Sequence, residues 1–322
     1  MEMVLIITNK QDITSDFIVK ELKSQKIEFY RFNTEELNHT CFVDLDIAGG
    51  RHTLFDRELK MEFDLKQFTS VYFRRPALPT INTEGLSQGE IQFLKNENAY
   101  TLEGIYKILK DAYWVSPLFS IREAENKIYQ LELAKEIGFK IPQSTITNSF
   151  ESATEFYDHN KESCIVKPIK SGLIDDAVKP QVVFTNALTS RPSSREQIES
   201  SPIFLQNHIS KKFDVRVTVV GASIFATLIN SQNSSQTKVD WRSGEKALQH
   251  TKVELPNDLK DQCMRLMKEL NLRFGAIDFI LDEHDEYIFL EINPNGQWAW
   301  IERRTGYPIS KAIVKLLDER NF

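Results

Sequence analysis

The sequence predicts an α/β fold divided into two or three domains, because strand and helix patterns alternate along most of its 322 residues. The opening segments MVLIIT, TSDFIVKELKSQ and EFYRFN predict a β-α-β unit. Hydrophobic residues make up 41% of the chain, which is enough to bury a large core. No glycine-rich loop joins the first strand to the first helix, so this unit does not indicate a dinucleotide-binding fold.

Composition and charge exclude several classes of partner. The 40 basic and 46 acidic residues give a net charge of −6 and are mixed along the chain, so we predict no nucleic-acid partner. The longest apolar stretch, residues 215–229, is too short to span a bilayer, and the N-terminal segment lacks the basic residues of a signal peptide. We therefore predict no membrane association.

Cysteine usage indicates a reducing compartment. Cys41, Cys164 and Cys263 are odd in number, far apart and in no CxxC or Cys/His cluster. A cytoplasmic location fits this pattern best, and no zinc site is indicated.

Pattern changes along the chain predict three domains. Residues 1–115 form an N-terminal α/β domain that contains the strand SVYFRRP and a long amphipathic helix over residues 90–113. Residues 116–203 form a central domain with one helix, REAENKIYQLELAKEIG, and the strands QSTIT, CIVKPI and QVVF. Residues 204–322 form a C-terminal domain of two hairpins around a helix over residues 257–270.

The second of these hairpins is GAIDFILDEHDEYIFLEIN, in which two apolar strands flank a polar turn at residues 283–286. A register that pairs Asp282 with Tyr287 also pairs Asp278 with Glu291. Because side chains alternate along a strand, one face of the hairpin should be wholly apolar. This face is predicted to consist of Ile277, Phe279, Leu281, Ile288, Leu290 and Ile292.

The opposite face of this hairpin carries Asp278, Glu291 and Asn293. Two carboxylates that face each other across an antiparallel pair repel and destabilise the sheet, so a positive group should lie between them. Mg²⁺ fits best, because it is a hard cation that prefers oxygen ligands and these side chains offer only oxygens. The alternative is a solvent-facing side on which water screens the carboxylates.

Four charged residues outside the hairpin each allow two interpretations. Lys167 ends the apolar strand CIVKP, where it either extends to solvent or faces an anion such as phosphate. Lys127 is a solvated helix lysine or a second phosphate ligand. Asp214 and Arg216 share one face of a strand, either as an exposed ion pair of little energetic value or with Arg216 clamping phosphate oxygens. The loop KSGLIDD after Lys167 could cover phosphates with backbone amides.

An ordered set of segments over residues 116–322 resembles the ATP-grasp ligases. The segments are NK at 126–127, VKP at 166–168, FLQNHI at 204–209, DVR at 214–216, GAIDF at 275–279 and FLEINPN at 289–295. The resemblance implies an ATP-grasp fold in which the N-terminal α/β domain is joined to central and C-terminal domains that enclose ATP.

The same resemblance implies roles for individual residues. Lys127 and Lys167 would bind the nucleotide phosphates. Asp278, Glu291 and Asn293 would hold two Mg²⁺ ions. The residues that would meet adenine through backbone groups are Gln206, Asn207, His208 and Ile209.

Further segments resemble the ligases that mature graspetides, the microviridin and plesiocin type of ribosomal peptide, along nearly the whole chain. They are VYFRRP at 71–76, DVRVTVVG at 214–221, VDWR at 239–242 and NPNGQWAWIE at 293–302. The resemblance implies an ATP-dependent macrocyclase that joins Asp or Glu carboxylates to Ser or Thr hydroxyls, or to Lys amines, through an acyl phosphate. The implied partner is a precursor peptide with a leader and an acidic core, and the implied assembly is a homodimer.

In this mechanism Arg216 and Arg242 would steady the acyl phosphate, and Asp214 would accept the proton of the hydroxyl. Trp298 and Trp300 either pack in the core or against another subunit, which the residue type favours, or form a wall of the peptide groove. The leader peptide would bind within residues 172–202.

Arg74 and Arg75 are either a surface pair at a strand end or groups that face an acidic core peptide. Two alternative functions stay open. One is another ATP-grasp ligase, such as an enzyme that adds glutamate to a protein C-terminus. The other is a non-catalytic ATP-binding regulator, against which the retention of Asp278, Glu291 and Asn293 argues.

Overall fold

The computed structural model describes residues 2–160, 163–170, 172–174, 181–232, 241 and 248–320. The helices in this part of the chain are α1 (Ile13–Gln25), α2 (Gln88–Ile108), α3 (Leu118–Ala124), α4 (Lys127–Ile137), α5 (Phe150–His159), α6 (Arg195–Glu199), α7 (Asn257–Glu269), α8 (Ala299–Thr305) and α9 (Ile309–Glu319). None of the helices in the described ranges has the length and apolar composition needed to cross a membrane.

The strands of the described ranges form five sheets. They are β1 (Met3–Thr8), β2 (Phe29–Asn33), β3 (Cys41–Asp46), β4 (Arg51–Asp56), β5 (Met61–Asp64), β6 (Phe68–Phe73), β7 (Tyr113–Val115), β8 (Ser144–Thr147), β9 (Cys164–Lys167), β10 (Leu173–Ile174), β11 (Gln181–Val182), β12 (Asn186–Ala187), β13 (Ile203–Asn207), β14 (Lys211–Val220), β15 (Ser223–Ile229), β16 (His250–Val253), β17 (Phe274–Asp282) and β18 (Tyr287–Asn293). The predicted α/β class is confirmed, since helices and sheets alternate.

The N-terminal part of the chain contains a parallel sheet of order β2-β1-β6-β7. The β-α-β opening is correct, and α1 begins after Asp12, whose carboxylate accepts a hydrogen bond from the backbone amide of Ser15. The chain passes from β1 to β2 on one side of the sheet and later adds β6 on the other side. The carboxyl ends of β1 and β6 therefore flank the point where the strand order reverses. A small antiparallel sheet, β3-β4-β5, was not predicted from sequence.

Two helix predictions need correction. The helix predicted over 122–138 is two helices, α3 and α4, because the Asn126 side chain accepts hydrogen bonds from the amides of Ile128 and Tyr129 and caps a new helix. This cap places Lys127 in the first turn of α4. The helix predicted over 90–113 ends sooner, as α2, and Tyr113 begins the edge strand β7.

The central sheet has the order β12-β9-β13-β8, with β13 antiparallel to both neighbours. The predicted boundary after residue 203 would assign most of β13 to the C-terminal domain, whereas its pairing assigns it to the central sheet. We therefore propose that the boundary falls after β13, near the start of β14. The boundary predicted near residue 115 stays a prediction.

The C-terminal sheet has the order β16-β15-β14-β17-β18 and is antiparallel throughout. Directly paired residues on neighbouring antiparallel strands share a face, so the registers place one residue from each strand in a row across the sheet. The row is Lys252, Thr227, Arg216, Asp278 and Glu291. This polar row lies on one face, and Ile277 and Phe279 point to the other.

Two apolar clusters hold these layers together. One joins the apolar face of the C-terminal sheet to α4 and α7, and it includes the predicted α7 stripe of Leu259, Cys263, Leu266 and Leu270. The other joins α1 to α8 and α9 around the buried ring of Trp298. Because α1 follows β1 of the parallel sheet and α9 packs against β14, this second cluster holds the parallel sheet against the polar face of the C-terminal sheet.

Candidate nucleotide and metal site

A cleft of about 420 Å³ lies between the central sheet and the C-terminal sheet. It brings together ten of the predicted site residues, namely Lys127, Lys167, Gln206, Asn207, His208, Ile209, Asp214, Asp278, Glu291 and Asn293. Arg216 lies beside them and contacts Asp278. Arg242 lies outside the described residues.

The pairing of Asp278 with Glu291 is confirmed, but the register beside the turn is different from the prediction. Tyr287 pairs with Leu281 and not with Asp282, and a β-bulge between Asp278 and Phe279 restores the predicted partner of Asp278. The bulge leaves Leu290 as an extra residue in β18. Without it, Glu291 would not face Asp278.

The bulge also changes the predicted apolar face. Phe289, and not Leu290, pairs with Phe279 and is fully buried in the core. Leu290 instead lines the cleft. Ile288, predicted for the same apolar face, pairs with Ile280, which also lines the cleft. The sequence pattern cannot reveal this change. Four consecutive residues of β18, from Tyr287 to Leu290, are apolar if the tyrosine is counted, so no alternation marks the residue at which the face changes.

Arg216 forms a buried ion pair with Asp278, in which Nε lies 2.8 Å from Oδ1. Asp214 is paired elsewhere, because its Oδ1 accepts a hydrogen bond of 2.7 Å from Nζ of Lys211, and both of these residues are buried. The interpretation of Asp214 and Arg216 as an exposed ion pair is therefore wrong. A buried charge that loses its partner is strongly destabilising, so each of these charged side chains of β14 is held beside its partner.

Lys127 connects the two sides of the cleft. Its ammonium lies 3.1 Å from Oε2 of Glu291 and donates a hydrogen bond of 3.2 Å to the carbonyl oxygen of Pro168, the residue after Lys167. The repulsion expected between Asp278 and Glu291 is thus reduced from two sides, by Arg216 on the first carboxylate and by Lys127 on the second.

The donor set of this end of the cleft fits magnesium. Asp278, Glu291 and Asn293 share the polar face and supply carboxylate and amide oxygens, which are the ligands that Mg²⁺ prefers. Oδ1 of Asn293 accepts a 3.0 Å hydrogen bond from the amide of Asn295, which orients the side-chain amide. No group of three His, Cys, Asp or Glu side chains is placed to hold a metal ion in the described ranges, and this end of the cleft offers two carboxylates and one amide.

Gln130 on α4 positions the strand that carries these oxygens, and it was missed in the sequence. Its side chain donates a 2.9 Å hydrogen bond to the carbonyl oxygen of Ile292 and accepts a 3.0 Å hydrogen bond from the amide of the same residue. β18 is an edge strand, so the Gln130 amide satisfies the backbone between Glu291 and Asn293 as another strand would. The available signal was a glutamine on the apolar stripe of α4, one turn before Ala134.

The two tryptophans that follow Asn293 have different environments. Trp298 is fully buried, and its indole N–H donates a hydrogen bond of 3.1 Å to the hydroxyl of Tyr72, so the core interpretation is correct for it. Trp300 is half-buried, and its ring centre lies 5.2 Å from that of Trp241. The guanidinium carbon of Arg216 lies 5.7 Å from the ring centre of Trp241 and 6.0 Å from that of Trp300. These rings therefore form an aromatic wall beside Arg216.

The other end of the cleft has features of a nucleotide site. The amide of Asn207 donates to Gln143 and that of His208 donates to Ser163, so an adenine contact in this segment would come from carbonyl oxygens or from Ile209. Within the described ranges, Oδ1 of Asn207 is buried without a hydrogen-bond partner. Burial and the nearby Lys211 lower the pKa of His208. Lys167 lies over the ring of Phe204, 5.9 Å from its centre.

The chain belongs to the RimK-like ATP-grasp family. The RimK-like ATP-grasp domain matches residues 124–317, and the MvdD pre-ATP-grasp domain matches residues 3–122. The protein is therefore an ATP-grasp ligase, and enzymes of this class use ATP and Mg²⁺. The predicted class of enzyme is confirmed.

Within this class the chain is similar to ligases of ribosomal peptide biosynthesis. A RiPP-associated ATP-grasp ligase of Chryseobacterium gregarium, solved with ADP and a leader and core peptide, is 29% identical, with 100% of this chain and 98% of that chain covered and a TM-score of 0.91. The macrocyclase MdnC of Microcystis aeruginosa MRC, bound with precursor peptide MdnA, is 27% identical, with 99% of this chain and 100% of that chain covered and a TM-score of 0.87.

The chain is also similar to the alpha-aminoadipate–LysW ligase LysX of Sulfurisphaera tokodaii. It is 22% identical over 221 residues, which cover 66% of this chain and 72% of the relative. The similarity to the peptide ligases thus covers more of this chain than the similarity to LysX does.

Proposed function

We propose that this protein is an ATP-dependent peptide macrocyclase, which forms ester or amide crosslinks between side chains of a ribosomally made precursor peptide. The observation that carries the proposal is the polar row on the C-terminal sheet, in which Arg216, Asp278 and Glu291 are adjacent beside a lysine-lined cleft. The full-length similarity to two ligases that were crystallised with such peptides supports the choice of substrate.

The reaction proceeds in two balanced steps. A side-chain carboxylate of the peptide attacks the γ-phosphorus of ATP, which yields an acyl phosphate and ADP. A Ser or Thr hydroxyl, or a Lys amine, of the same peptide then attacks the acyl carbon. The new ester or amide bond forms as phosphate leaves, and a nearby base accepts the proton of the nucleophile.

The residues of the cleft act by positioning and by electrostatic stabilisation. Lys127 and Lys167 both line the cleft and bind phosphate oxygens there. Arg216 is fixed by Asp278 and by the aromatic wall, so its guanidinium is available to steady the acyl phosphate without reorganisation. Asp214 remains the proposed base, with its ion pair to Lys211 holding one oxygen.

Asp278, Glu291 and Asn293 would hold two Mg²⁺ ions. When bound, the ions neutralise the charge that develops on the transferring phosphoryl group. We assign Arg242, outside the described residues, the role of a second group on the acyl phosphate.

We also propose that a leader peptide binds within residues 172–202 and that the enzyme is a homodimer. We expect the leader peptide to provide most of the binding contacts, because the acidic core alone offers little apolar surface for docking. The reaction consumes ATP and the chain has three buried free cysteines, so we place it in the cytoplasm.

Intact mass spectrometry tests the reaction directly. A precursor peptide rich in Thr and in Glu or Asp, sought in a short reading frame beside the gene, is incubated with the enzyme, ATP and Mg²⁺. Ring closure removes one water for each bond and adds no atoms, with one ATP converted to ADP and phosphate. Mild base or hydroxylamine would open esters and leave amides intact.

A mass gain equal to an added amino acid would instead support an amino-acid ligase, the reaction class of LysX. Consumption of no ATP at all, by folded enzyme with the precursor present, would favour the non-catalytic regulator. Loss of water that requires the leader segment is the expected result.

A further inference from the structure

The carboxyl ends of β1 and β6 adjoin at the point where the strand order of the N-terminal sheet reverses, and we name this edge of the sheet the β1–β6 crevice. In open α/β sheets, ligands bind at such a point, because the loops after the two strands diverge and leave a gap. Here β1 is followed by Asn9, and β6 is followed by Arg74 and Arg75. The crevice thus places two arginines where the fold favours ligand binding.

The backbone of Arg75 is held in a strained conformation. Its φ is 45°, in the left-handed region that residues with a side chain rarely adopt. The side-chain amide of Asn9 donates a hydrogen bond of 2.6 Å to the carbonyl oxygen of Arg75 and thereby ties the ends of β6 and β1 together. Strain of this kind is often found where a fold must present a side chain to a ligand.

The neighbouring Arg74 has the opposite environment, since it is only 1% exposed. Its Nη1 donates to the carbonyl oxygen of Asn295, and its Nε lies 3.7 Å from Oδ2 of Asp12. Nη2 of Arg74 is buried and has no hydrogen-bond partner in the described part of the chain. A buried N–H group without a partner marks a place for an acceptor that the chain itself does not supply.

The loop that Arg74 contacts also connects the crevice to the metal end of the cleft. At Gly296 an added Cβ would lie 2.5 Å from Cβ of Ala276 and 3.3 Å from Nη1 of Arg216. Glycine is therefore required, and the loop that follows Asn293 passes between Arg74 of the N-terminal domain and Arg216 of the C-terminal sheet. A peptide bound at the crevice would be close to the reacting groups.

The charges around Arg75 favour an anion. Arg75 is exposed and forms no ion pair with any described residue. Partial burial of the guanidinium and the nearby Arg74 lower the pKa of Arg75, whereas the carboxylates of Asp12 and Glu125 act in the opposite direction. The Asp12 carboxylate is already engaged by hydrogen bonds from Ser15 and Thr8. Asp12 also faces Arg74, with Oδ2 3.7 Å from Nε, so Arg75 is the exposed cation of the crevice that can meet an incoming anion.

We propose that Arg75, supported by the fixed guanidinium of Arg74, binds a carboxylate of the substrate peptide at the β1–β6 crevice. This inference rests on the proposed function, in which the core peptide is acidic. The bound carboxylate belongs to a residue of the peptide other than the one being activated at Arg216. A guanidinium suits this role, because its planar N–H groups pair with both carboxylate oxygens.

The test measures binding without turnover, so that it is independent of the macrocyclase assay. Fluorescein-labelled hexapeptides of alternating Thr and Glu, or of alternating Thr and Gln, are titrated against the full chain with saturating ADP and Mg²⁺. Fluorescence anisotropy should show that the wild type prefers the Glu peptide by about tenfold. Arg75→Asn, which tolerates positive φ, should lose this preference, and Arg75→Lys should keep part of it.

Arg51→Ala is the matched control, because Arg51 is an exposed arginine on β4 that pairs only with the exposed Asp44 and Glu62 among the described residues. It should keep the full preference. Equal binding of both peptides by the wild type, or an unchanged preference in folded Arg75→Asn, would overturn the proposal. The two proposals can fail separately. If the wild type prefers the Glu peptide but mass spectrometry shows no loss of water from the precursor, the crevice assignment stands and the macrocyclase proposal fails.

Discussion

The ammonium of Lys127 lies 3.1 Å from Oε2 of Glu291, so a residue proposed to bind phosphate contacts one proposed to bind metal. In the absence of nucleotide, a cation and Lys127 compete for the same carboxylate. When nucleotide phosphates are present, they offer the ammonium another partner. Nucleotide and metal binding should therefore be coupled through Lys127.

The first prediction concerns this coupling. Lys127→Ala removes a like charge from the metal site, so Mg²⁺ should bind about fivefold to tenfold more tightly when nucleotide is absent. The same variant should bind ATP more weakly. Isothermal titration with Mg²⁺ alone and with ATP alone measures both effects. Lys135→Ala, at an exposed position on the same helix, is the control, and an unchanged Mg²⁺ affinity in Lys127→Ala would contradict the coupling.

The second prediction is that Glu291→Gln lowers ATP turnover by about 100-fold or more while the fold is retained. The carboxylate faces Asp278 across the hairpin, and an amide has the same shape but no charge for a metal ion. Glu286→Gln, at the exposed tip of the same hairpin, should have full activity. Near-normal ADP release by folded Glu291→Gln would rule out the metal assignment.

The third prediction separates nucleotide binding from the reaction. Lys167→Ala should weaken ATP binding by about tenfold, because Lys167 lines the cleft between the sheets. Arg216→Lys should lower kcat more than ATP affinity, because its proposed partner forms only during the reaction. Lysine keeps the charge opposite the buried Asp278 and so limits the loss of stability. Titration calorimetry and steady-state kinetics give both numbers, and the reverse order of effects would exchange the two roles.

The fourth prediction concerns Gln130. Gln130→Leu leaves the amide and carbonyl of Ile292 without their partner, which should cost about 2–3 kcal/mol in the free energy of unfolding. Mg²⁺ affinity should also fall, since the adjacent ligands Glu291 and Asn293 lose their support. Urea denaturation and metal titration measure these effects. Gln262→Leu removes a hydrogen bond at an exposed site and should cost much less, so equal costs would contradict the assignment.

The fifth prediction is a pH dependence through His250, whose pKa is lowered by burial and by Arg304. The unfolded chain has a higher histidine pKa, so it binds more protons than the folded chain as the pH falls below about 6.5. Stability should therefore decrease from about pH 7 to about pH 5.5, and His250→Gln should reduce the decrease. Urea midpoints at the two pH values measure this change. Identical pH dependences of wild type and variant would show that His250 contributes nothing.

Much of the fold could be predicted from the sequence, because its signals are local. The β-α-β opening and the α7 stripe follow from hydrophobic periodicity, and the enzyme class follows from an ordered set of short segments. The start of α4 was missed although Asn126 is a strong capping residue, because the apolar pattern continues from α3 into α4.

The site was less predictable where it depends on contacts between distant elements. The pairing of Asp278 with Glu291 was found, but from a hairpin register that is wrong beside the turn. The bonds of Gln130 to Ile292 and of Arg74 to Asn295 join residues far apart in sequence. No periodicity in a single sequence specifies such tertiary contacts.

The bulge at Leu290 has a consequence for the evolution of this hairpin. A single insertion or deletion within the paired segments of β17 or β18 between Asp278 and Glu291 would turn the glutamate toward the core, unless a second bulge arose to compensate. The turn itself can change in sequence and in length, because a loop absorbs such changes without shifting the strands. A homologous gene that keeps both acidic residues but differs by one codon within these strand segments therefore encodes a protein that has lost its ligase activity, or one that has acquired a compensating bulge.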